Sequence, residues 1–344
     1  DDEGFYTDDQ ASLGQRRLSI IDVEGGHQPL LDDSGNLVLV ANGEIYNSPE
    51  LREQFEAEGY PFKTHSDSEV ILPLYKKYGP DCVRHLRGMF AFVIWDKTEQ
   101  SLCFARDHMG QKPVFFARDE NSIYLASEVK AILASRDEKP QIDMNCLWHY
   151  ISMRFVPDDM TFFKGIHKLK AGHWALWKDG DLKTERYWDI EFKNKLSGSY
   201  QAVEEQLHDV LLDTVESHLL SDVPVGAFLS GGIDSSTIAA MMSELGQDDL
   251  PVFSIGVKEA GFNELPWARM VVDKYGMQGH EKVVNADLIH LIPKMIHHMD
   301  EPSDPFGVGV YLVSEMASEH VKVVLTGDGG DENFAGYDRF EGQR

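Results

Sequence analysis

The first half of the chain alternates short apolar runs with turn residues, which is the pattern that β-strands leave in a sequence. A hairpin is predicted over residues 172–188, with its turn at Asp179-Gly180, because this dipeptide favours the tight turns of hairpins. The other runs that predict strands are RRLSIID (16–22), LVLVANGEIYN (37–47), MFAFVIWD (89–96), SLCFARD (101–107) and SIYLASE (122–128).

Two helices are predicted among these strands. HSDSEVILPLYKKYG (65–79) has helical spacing, with Ser66 and Glu69 as a capping box and Gly79 as the C-cap. A further helix begins over Asp143–Tyr150.

After the polar segment 193–200 the pattern changes to alternating helices and strands, which is typical of a parallel sheet covered by helices. The first helix, Tyr200–Leu220, places five apolar residues near one face: Val203, Leu207, Val210, Leu211 and Val215. The elements that follow are strand Gly226–Leu229, helix Ser235–Leu245, strand Val252–Val257, helices Glu264–Tyr275, Leu288–His298 and Gly309–Glu319, and strand Lys322–Leu325. The sequence therefore predicts domains over 1–192 and 201–344, joined by a linker over 193–200.

Composition narrows the function classes. The formal net charge of −26 disfavours nucleic acid as a partner, because one polyanion repels another. No apolar run reaches the roughly 20 residues of a membrane span. Three widely spaced cysteines, Cys82, Cys103 and Cys146, indicate a reducing compartment rather than a disulfide framework, so a cytoplasmic protein is expected.

The stretch FLSGGIDSST (228–237) predicts a phosphate-binding loop. It follows a buried strand, and ligands sit at the carboxyl ends of parallel strands. Its glycines let the backbone approach an anion, and the N–H groups of the next helix point at it. The Walker loop is excluded because Ile233 stands where that motif has a lysine. The dinucleotide fingerprint GxGxxG does not match, and a plain turn with a helix cap remains the alternative.

A second glycine loop, TGDGGDE (326–332), also follows a predicted buried strand. By itself an acidic glycine loop is more often a solvated turn. Two such loops at strand ends of one sheet could together hold a triphosphate and its metal ion, since carboxylates are ligands for Mg²⁺.

Together these motifs resemble the glutamine-hydrolysing asparagine synthetases. SGGIDSS, TGDGGDE and DEPSDP (300–305) are similar to the motifs of their PP-loop ATP pyrophosphatase domain. RRLSIID, ANGEIYN, HSDSEVI, GMFAFVIWD and ARDHMGQKP are similar to those of their class II glutaminase domain. The implied fold is an α+β N-terminal-nucleophile-type glutaminase sandwich followed by an α/β parallel-sheet PP-loop domain.

The resemblance implies roles for residues of the glutaminase half. Asn42 and Gly43 match oxyanion-hole donors, although Asn-Gly between apolar runs is also the commonest signal of a hairpin turn. Asp67 could instead serve only a helix dipole, and Arg17 could be a surface charge at a strand edge. The residues implied to bind glutamine are Arg17, Leu18, Ser19, Ile20, Ile21, Asn42, Gly43, Glu44 and Asp67.

In the synthetase half, the resemblance makes Asp234 and Asp331 the ligands of Mg²⁺. Asp328 stands where asparagine synthetases usually have a glutamate that helps to form the acyl-adenylate. The residues implied to bind ATP are Leu229, Ser230, Gly231, Gly232, Asp234, Ser235, Ser236, Ile255, Thr326 and Gly327.

The implied reaction takes glutamine, aspartate and ATP to asparagine, glutamate, AMP and pyrophosphate through an acyl-adenylate. A homodimer is a candidate for the oligomeric state. The glutaminase nucleophile, an N-terminal cysteine, is absent, so truncation at both ends and a lack of glutaminase activity are expected. Two alternatives remain open: an amidotransferase acting on another carboxylate, and a non-enzymatic module that senses nucleotide or glutamine.

Overall fold

The computed structural model describes residues 1–137, 139–157, 159–193, 195–258, 261, 263–284, 289–302, 307–338 and 340. The chain divides into two compact units, Asp1–Lys195 with Ile296–Asp304, and Leu196–Met295 with Pro305–Arg344. The first crossing between the units, after Lys195, lies inside the segment predicted as a linker. The assignment of Ile296–Asp304 to the first unit has no counterpart in the sequence pattern.

The first unit is built from antiparallel strands. Its strands are β1 Asp2–Thr7, β2 Ser12–Arg17, β3 Leu30–Leu31, β4 Leu37–Ile45, β5 Gly88–Asp96, β6 Ser101–Arg106, β7 Phe115–Arg118, β8 Ile123–Ala126, β9 Ile166–Lys168, β10 His173–Lys178 and β11 Asp181–Arg186. Six of them form one sheet in the order β11-β10-β6-β5-β4-β3. The pair β1-β2 and the triplet β8-β7-β9 form two smaller sheets.

The first two helices of this unit pack on the six-stranded sheet, and the third packs on the β8-β7-β9 sheet. Ile71, Leu72 and Leu74 of the second helix are almost fully buried in a cluster with Phe90 and Phe92 of β5. The helices are α1 Ser48–Ala57, α2 Ile71–Tyr78, α3 Val129–Ala134 and α4 Met144–Met153, with 3-10 turns over Asp67–Val70 and Gly79–His85.

The structure confirms the hairpin turn at Asp179-Gly180, where both residues have positive φ, 52° and 81°. It corrects the capping box at Ser66, whose side chain makes no cap hydrogen bond. The Glu69 carboxylate instead accepts from the backbone N–H groups of Lys63 and Thr64, at 2.9 and 2.8 Å.

The strand predicted over residues 16–22 is wrong beyond Arg17, where β2 ends. Residues 18–22 have no strand partner in the described part of the chain, and their backbone folds around the Arg17 side chain instead. The arginine therefore ends the strand by bonding to carbonyl groups that would otherwise continue it.

The second unit confirms the predicted parallel sheet. Its four strands lie in the order β14-β13-β12-β15, and every pairing is parallel. Its strands are β12 Val225–Phe228, β13 Pro251–Val257, β14 Gln278–Val284 and β15 Val323–Leu325. Strand β14 is not predicted, because its sequence QGHEKVV is mostly polar and it occupies a solvent-exposed edge.

Helices follow the strands of this sheet. They are α5 Tyr200–His218, α6 Ile233–Glu244, α7 Leu265–Tyr275, α8 Ile292–Met299, α9 Gly307–Ala317 and α10 Gly330–Phe334. The last residues of α8, from Ile296, belong to the first unit. Helix α6 begins two residues earlier than predicted. The apolar face predicted for α5 is partly wrong, since Leu207 and Val210 are exposed and Val215 is its buried residue.

Among the described helices, none combines the length and the apolar character that crossing a membrane would require. Leu288 and the segment Ser303 to Pro305 of the DEPSDP motif lie outside the described residues.

Candidate active sites

A cavity of about 130 Å³ in the first unit brings together most of the residues implied to bind glutamine. The predicted residues that line it are Arg17, Leu18, Ile20, Ile21, Asn42, Gly43, Glu44 and Asp67. Ser19 is the exception, since it is 1% exposed and does not line the cavity. A contact between Ser19 and glutamine stays a prediction.

The Arg17 side chain is part of this cavity and is not a free surface charge. Its guanidinium donates to the carbonyl oxygens of Ile21 and Asp22, the latter at 3.2 Å. Gly26 lies against it, and a Cβ there would come within 2.6 Å of Nη2. Two of its five N–H donors are thus used to hold the loop. The other N–H donors of this guanidinium are available to a ligand at the cavity wall.

Asn42 and Gly43 lie within β4, where they pair with Ala91 and Phe90 of β5. The hairpin interpretation of this Asn-Gly pair is therefore wrong. Gly43 has φ +137°, and a Cβ would lie 2.8 Å from the Cα of Phe90. Only glycine suits this backbone position, because positive φ and crowding both penalise a side chain.

Gln28 is a cavity residue that no sequence motif singles out. Its side-chain amide accepts from the Ala41 N–H at 2.7 Å and donates to the Ala41 carbonyl at 3.1 Å. It thereby acts like a strand partner for β4, one residue before Asn42. No local sequence signal predicts such a contact, since the two residues are 13 positions apart.

Glu44 and Asp67 place two carboxyl groups in the same cavity. Asp67 is 5% exposed, and its Oδ2 accepts from the Ile45 N–H at 2.7 Å. The Oε2 atom of Glu44 is buried and has no hydrogen-bond donor among the described residues. Burial, together with the charge of Asp67, raises the pKa of Glu44 to about 8. Burial also raises the pKa of Asp67, to about 6.

A buried loop anchor positions a cation beside this pair. Asp107 is fully buried, and its carboxylate accepts from the backbone N–H groups of Met109, Gln111 and Lys112 at 2.9–3.1 Å. The loop places Lys112 in the cavity lining, where its charge opposes the rise in the pKa of Glu44. In the sequence, ARDHMGQKP is recognisable only as a family motif, without a role for Lys112.

The three cysteines are fully buried and free. Burial raises the pKa of the Cys82, Cys103 and Cys146 thiols, so none is poised as a thiolate. None of them is therefore a candidate nucleophile for glutamine hydrolysis.

In the second unit, the SGGIDSS stretch forms a compact loop between β12 and α6. The Ser230 hydroxyl lies 2.9 Å from the Ser235 hydroxyl and accepts from the Gly232 N–H at 3.2 Å. Gly231 has φ +86° and packs against Trp267 at the start of α7. Gly232 is the N-cap residue of α6, which directs the first N–H groups of that helix toward the loop.

The second glycine loop meets the first one. A Cβ on Gly327 would lie 2.7 Å from the Ser235 nitrogen, and one on Gly330 would lie 2.7 Å from Oδ1 of Asp234. Strands β12 and β15 are parallel neighbours, so both loops leave the same edge of the sheet. The Asp234 carboxyl group therefore rests against the residue that precedes Asp331.

The remaining predicted residues of this site differ in how far they are buried and in their hydrogen bonds. The Thr326 hydroxyl donates to the exposed Asp328 carboxylate at 3.0 Å. Ser236 lies in the first turn of α6, half-buried. Leu229 is 1% exposed, and its carbonyl accepts from the Ser254 hydroxyl at 2.6 Å, while Ile255 is half-buried in β13. Their contacts with a nucleotide stay predictions.

Trp267 is a candidate that the sequence did not single out. Its side chain is 61% exposed, and its Cβ packs on Gly231 of the phosphate loop. An exposed indole is amphipathic and large, and it commonly marks a binding surface. The available signal was only a tryptophan in the first turn of a predicted helix.

The assignment of Asp234 and Asp331 as ligands of Mg²⁺ stays a prediction. Among the described residues, no cluster of three or more His, Cys, Asp or Glu side chains could hold a metal ion by itself. The Asp331 carboxyl group lies against Gly336 within α10 and its turn. One or two carboxylates, completed by phosphate oxygens and water, are what Mg²⁺ requires.

Comparison with known proteins agrees with this two-part arrangement. A glutamine amidotransferase domain model matches residues 1–188, and an asparagine synthase model matches residues 206–344. Asparagine synthetase [glutamine-hydrolyzing] 1 of Bacillus subtilis is 39% identical, over 98% of this chain and 53% of the relative. Putative asparagine synthetase [glutamine-hydrolyzing] 2 of Methanocaldococcus jannaschii is 38% identical, over 98% of this chain and 70% of the relative.

Some relatives carry another name. Amidase chry2 of Gibberella zeae is 33% identical, over 98% of this chain and 53% of the relative. The chain thus spans about half the length of two of these three relatives. On the two matching domain models and the curated relatives, the chain belongs to the family of glutamine-hydrolysing asparagine synthetases.

Proposed function

We propose that the protein to which this chain belongs is an ATP-dependent ligase that makes an amide with nitrogen taken from glutamine. Aspartate is the proposed acceptor and asparagine the product, with glutamate, AMP and pyrophosphate released. The proposal rests on family membership and on the way the described residues of each unit are arranged.

The observation that carries the proposal is the meeting of the two glycine loops at one edge of the parallel sheet. Gly327 and Gly330 leave room for the backbone nitrogen of Ser235 and the carboxyl group of Asp234. The N–H groups at the N-terminus of α6 favour a polyphosphate. The Mg²⁺ ion that accompanies ATP would be held by Asp234 and Asp331 and would neutralise charge on the leaving pyrophosphate.

The acceptor carboxylate is proposed to attack the α-phosphorus of ATP, giving an acyl-adenylate and pyrophosphate. The N–H groups at the start of α6 and the hydroxyls of Ser235 and Ser236 would bind the pyrophosphate. Asp328 is proposed to act near the reacting carboxylate. Ammonia then displaces AMP to form the amide.

In the first unit, the cavity is proposed to bind glutamine by its two charged ends. Arg17 would take the α-carboxylate, and Glu44 with Asp67 would take the ammonium. Asn42 and Gly43 would donate to the oxyanion, and one such donor is worth about 3 kcal/mol. Because the three cysteines are buried, we expect no glutamine hydrolysis from these 344 residues alone.

The test is a product assay on the full-length protein, supplied with Mg-ATP, ammonium and a panel of carboxylic acids. Mass spectrometry should find asparagine, AMP and pyrophosphate only when aspartate is present. AMP with the amide of another acid would keep the chemistry and change the acceptor. A folded protein that forms no AMP with any acid would leave a sensor of nucleotide or glutamine.

The acceptor is the part of the proposal that a specific observation keeps open. Asp328 is one methylene shorter than the glutamate usual at this place, and it is exposed and bonded to Thr326. A shorter acid leaves more room beside the loop, which would admit a carboxylate other than aspartate. The acid panel decides between these two acceptor classes.

A further inference from the structure

We infer that the glutamine cavity binds its ligand by exchanging a proton for the ligand's ammonium group. In this exchange the Glu44–Asp67 pair gives up about one proton to solvent near neutral pH, and the incoming ammonium becomes its counter-charge. The inference rests on the proposed function, because it concerns the ammonium end of the same ligand.

The geometry supplies the first step. Glu44 directs a buried oxygen, Oε2, into a place with no hydrogen-bond donor among the described residues. Asp67 lies in the same cavity and uses one oxygen on the Ile45 N–H, the residue next to Glu44. A buried acceptor with no donor is costly when it is charged and much less so when it is protonated.

The surroundings supply the second step, because among the described residues no cation is paired with either carboxyl group. None of the ion pairs in the described part of the chain includes Glu44 or Asp67. The charged and titratable groups that face Glu44 are Asp67, Arg17 of β2, Lys112 of the loop after β6, and Tyr46 at the end of its own strand.

These opposing groups do not neutralise the pair. Part of the Arg17 guanidinium is held by the carbonyl groups of Ile21 and Asp22, and Lys112 acts on Glu44 only at a distance. The raised pKa values, about 8 for Glu44 and about 6 for Asp67, favour about one proton on the two carboxyl groups at neutral pH.

Ligand binding changes this balance. An ammonium donates up to three hydrogen bonds and carries the charge that the pair lacks, so both carboxyl groups can ionise around it. By linkage, the affinity for glutamine should rise by up to about tenfold per pH unit between about pH 6 and about pH 8.

The test is titration calorimetry of the 344-residue chain with L-glutamine at one pH near neutrality. Phosphate and Tris buffers have different enthalpies of ionisation, so the difference in observed heat gives the number of protons released. We expect about one proton per bound glutamine. Glutaramate, which is glutamine without its amino group, should release none.

Two variants sharpen the result. Glu44→Gln should abolish proton release and flatten the dependence of affinity on pH. Glu53→Gln, an exposed change on α1, should leave both unchanged. Carbon-13 NMR titration of the two carboxyl groups in the free chain should show that one of them is protonated at neutral pH.

Three outcomes would overturn the proton exchange, and one of them would also overturn the glutamine site. Glutamine that binds without proton release would overturn the exchange and leave the proposed glutamine site in place. A chain that binds no glutamine would overturn the site as well. Two carboxyl groups that are both ionised in the free chain at neutral pH would overturn the exchange whatever the ligand does.

Discussion

Gly231 is a residue whose backbone angle and surroundings both demand glycine. It has φ +86°, and a Cβ would lie 2.7 Å from the Ala268 nitrogen and from the Trp267 Cβ. Gly246 has a similar φ of +81°, and no described heavy atom outside its own neighbours lies within 4 Å of a Cβ built there. Comparing alanine at the two positions therefore separates crowding from backbone strain.

We predict that Gly231→Ala lowers the free energy of unfolding of the second unit by about 2–4 kcal/mol, as strain and overpacking add. Gly246→Ala should cost only about 1 kcal/mol. Urea denaturation followed by circular dichroism measures both, and equal effects would contradict the packing of α7 on the loop.

We predict that Asp234 binds the metal ion and contributes little to the stability of the fold. Asp234→Asn keeps the size of the side chain and the start of α6 but removes the charge. Pyrophosphate release by the full-length protein should fall by at least about 10- to 100-fold. Thermal unfolding should change little, and Asp248→Asn, an exposed change between α6 and β13, is the control. Unchanged turnover in the Asp234 variant would remove this residue from the proposed site.

Glu44 gives a prediction for stability against pH. Its folded pKa, about 8, lies above its value in an unfolded chain, about 4.3. The contribution of such a carboxyl group is fully present below the unfolded pKa and is lost as pH rises through the folded pKa. The wild-type chain therefore loses stability between about pH 5 and about pH 8, and Glu44→Gln does not share this loss.

The measurement is unfolding of both chains across that pH range. The advantage of the glutamine variant should grow with pH, by up to about 4 kcal/mol over these three pH units, since one pKa unit corresponds to about 1.4 kcal/mol. Glu53→Gln controls for the removal of a carboxylate as such. An advantage that shrinks with pH would have the wrong sign.

At the scale of elements, the loop after β6 depends on a single buried acid. Asp107 accepts from the N–H groups of Met109, Gln111 and Lys112, so Asp107→Ala leaves three partly buried donors without their acceptor. We predict a loss of about 3–5 kcal/mol in the free energy of unfolding of the first unit.

Asp119→Ala is the matched control for this change. Asp119 also accepts from two backbone N–H groups, of Asn121 and Ser122, but in an exposed turn where water can replace it. Denaturation midpoints of the two variants should differ clearly. Similar losses would mean that burial does not set the strength of the Asp107 contacts.

The sequence could predict elements whose own residues determine them. The hairpin at Asp179-Gly180 and the strand–loop–helix around Ser230 have local signals, glycine and turn residues beside apolar runs. Strand β14 could not be predicted, because an exposed edge needs no apolar run. The 3-10 turn at Asp67 also differs from the predicted helix, since its carboxylate bonds to β4 instead of capping.

The two candidate sites also differ in how far local sequence predicts them. Phosphate-loop residues are contiguous, so a motif finds them. The cavity of the first unit is assembled from β2, β4, the Asp67 turn and the loop carrying Lys112. Gln28 and Lys112 enter it through contacts across the chain, which no local pattern encodes. Only the family resemblance placed Arg17 and Asn42 in one site.

For the whole molecule, the net charge of −26 should make stability depend on salt. Screening weakens repulsion between like charges, so raising NaCl from about 0.02 to about 0.3 M should raise the unfolding temperature. An increase of about 2–4 °C corresponds to about 1 kcal/mol.

Magnesium provides the comparison for this salt effect. MgCl₂ at equal ionic strength should stabilise the chain further if Asp234 and Asp331 bind the ion, and a variant with both changed to asparagine should lose only that excess. A chain whose unfolding temperature falls with NaCl would contradict the repulsion argument.

The buried cysteines allow the opening of one of the two units to be followed by thiol labelling. All three lie in the first unit and none is accessible, so a thiol reagent can reach them only when that unit opens. The second unit carries no thiol, so the same reagent does not label it. The rate of labelling therefore times the opening of the first unit alone, and one introduced surface cysteine would be modified selectively while the chain stays folded.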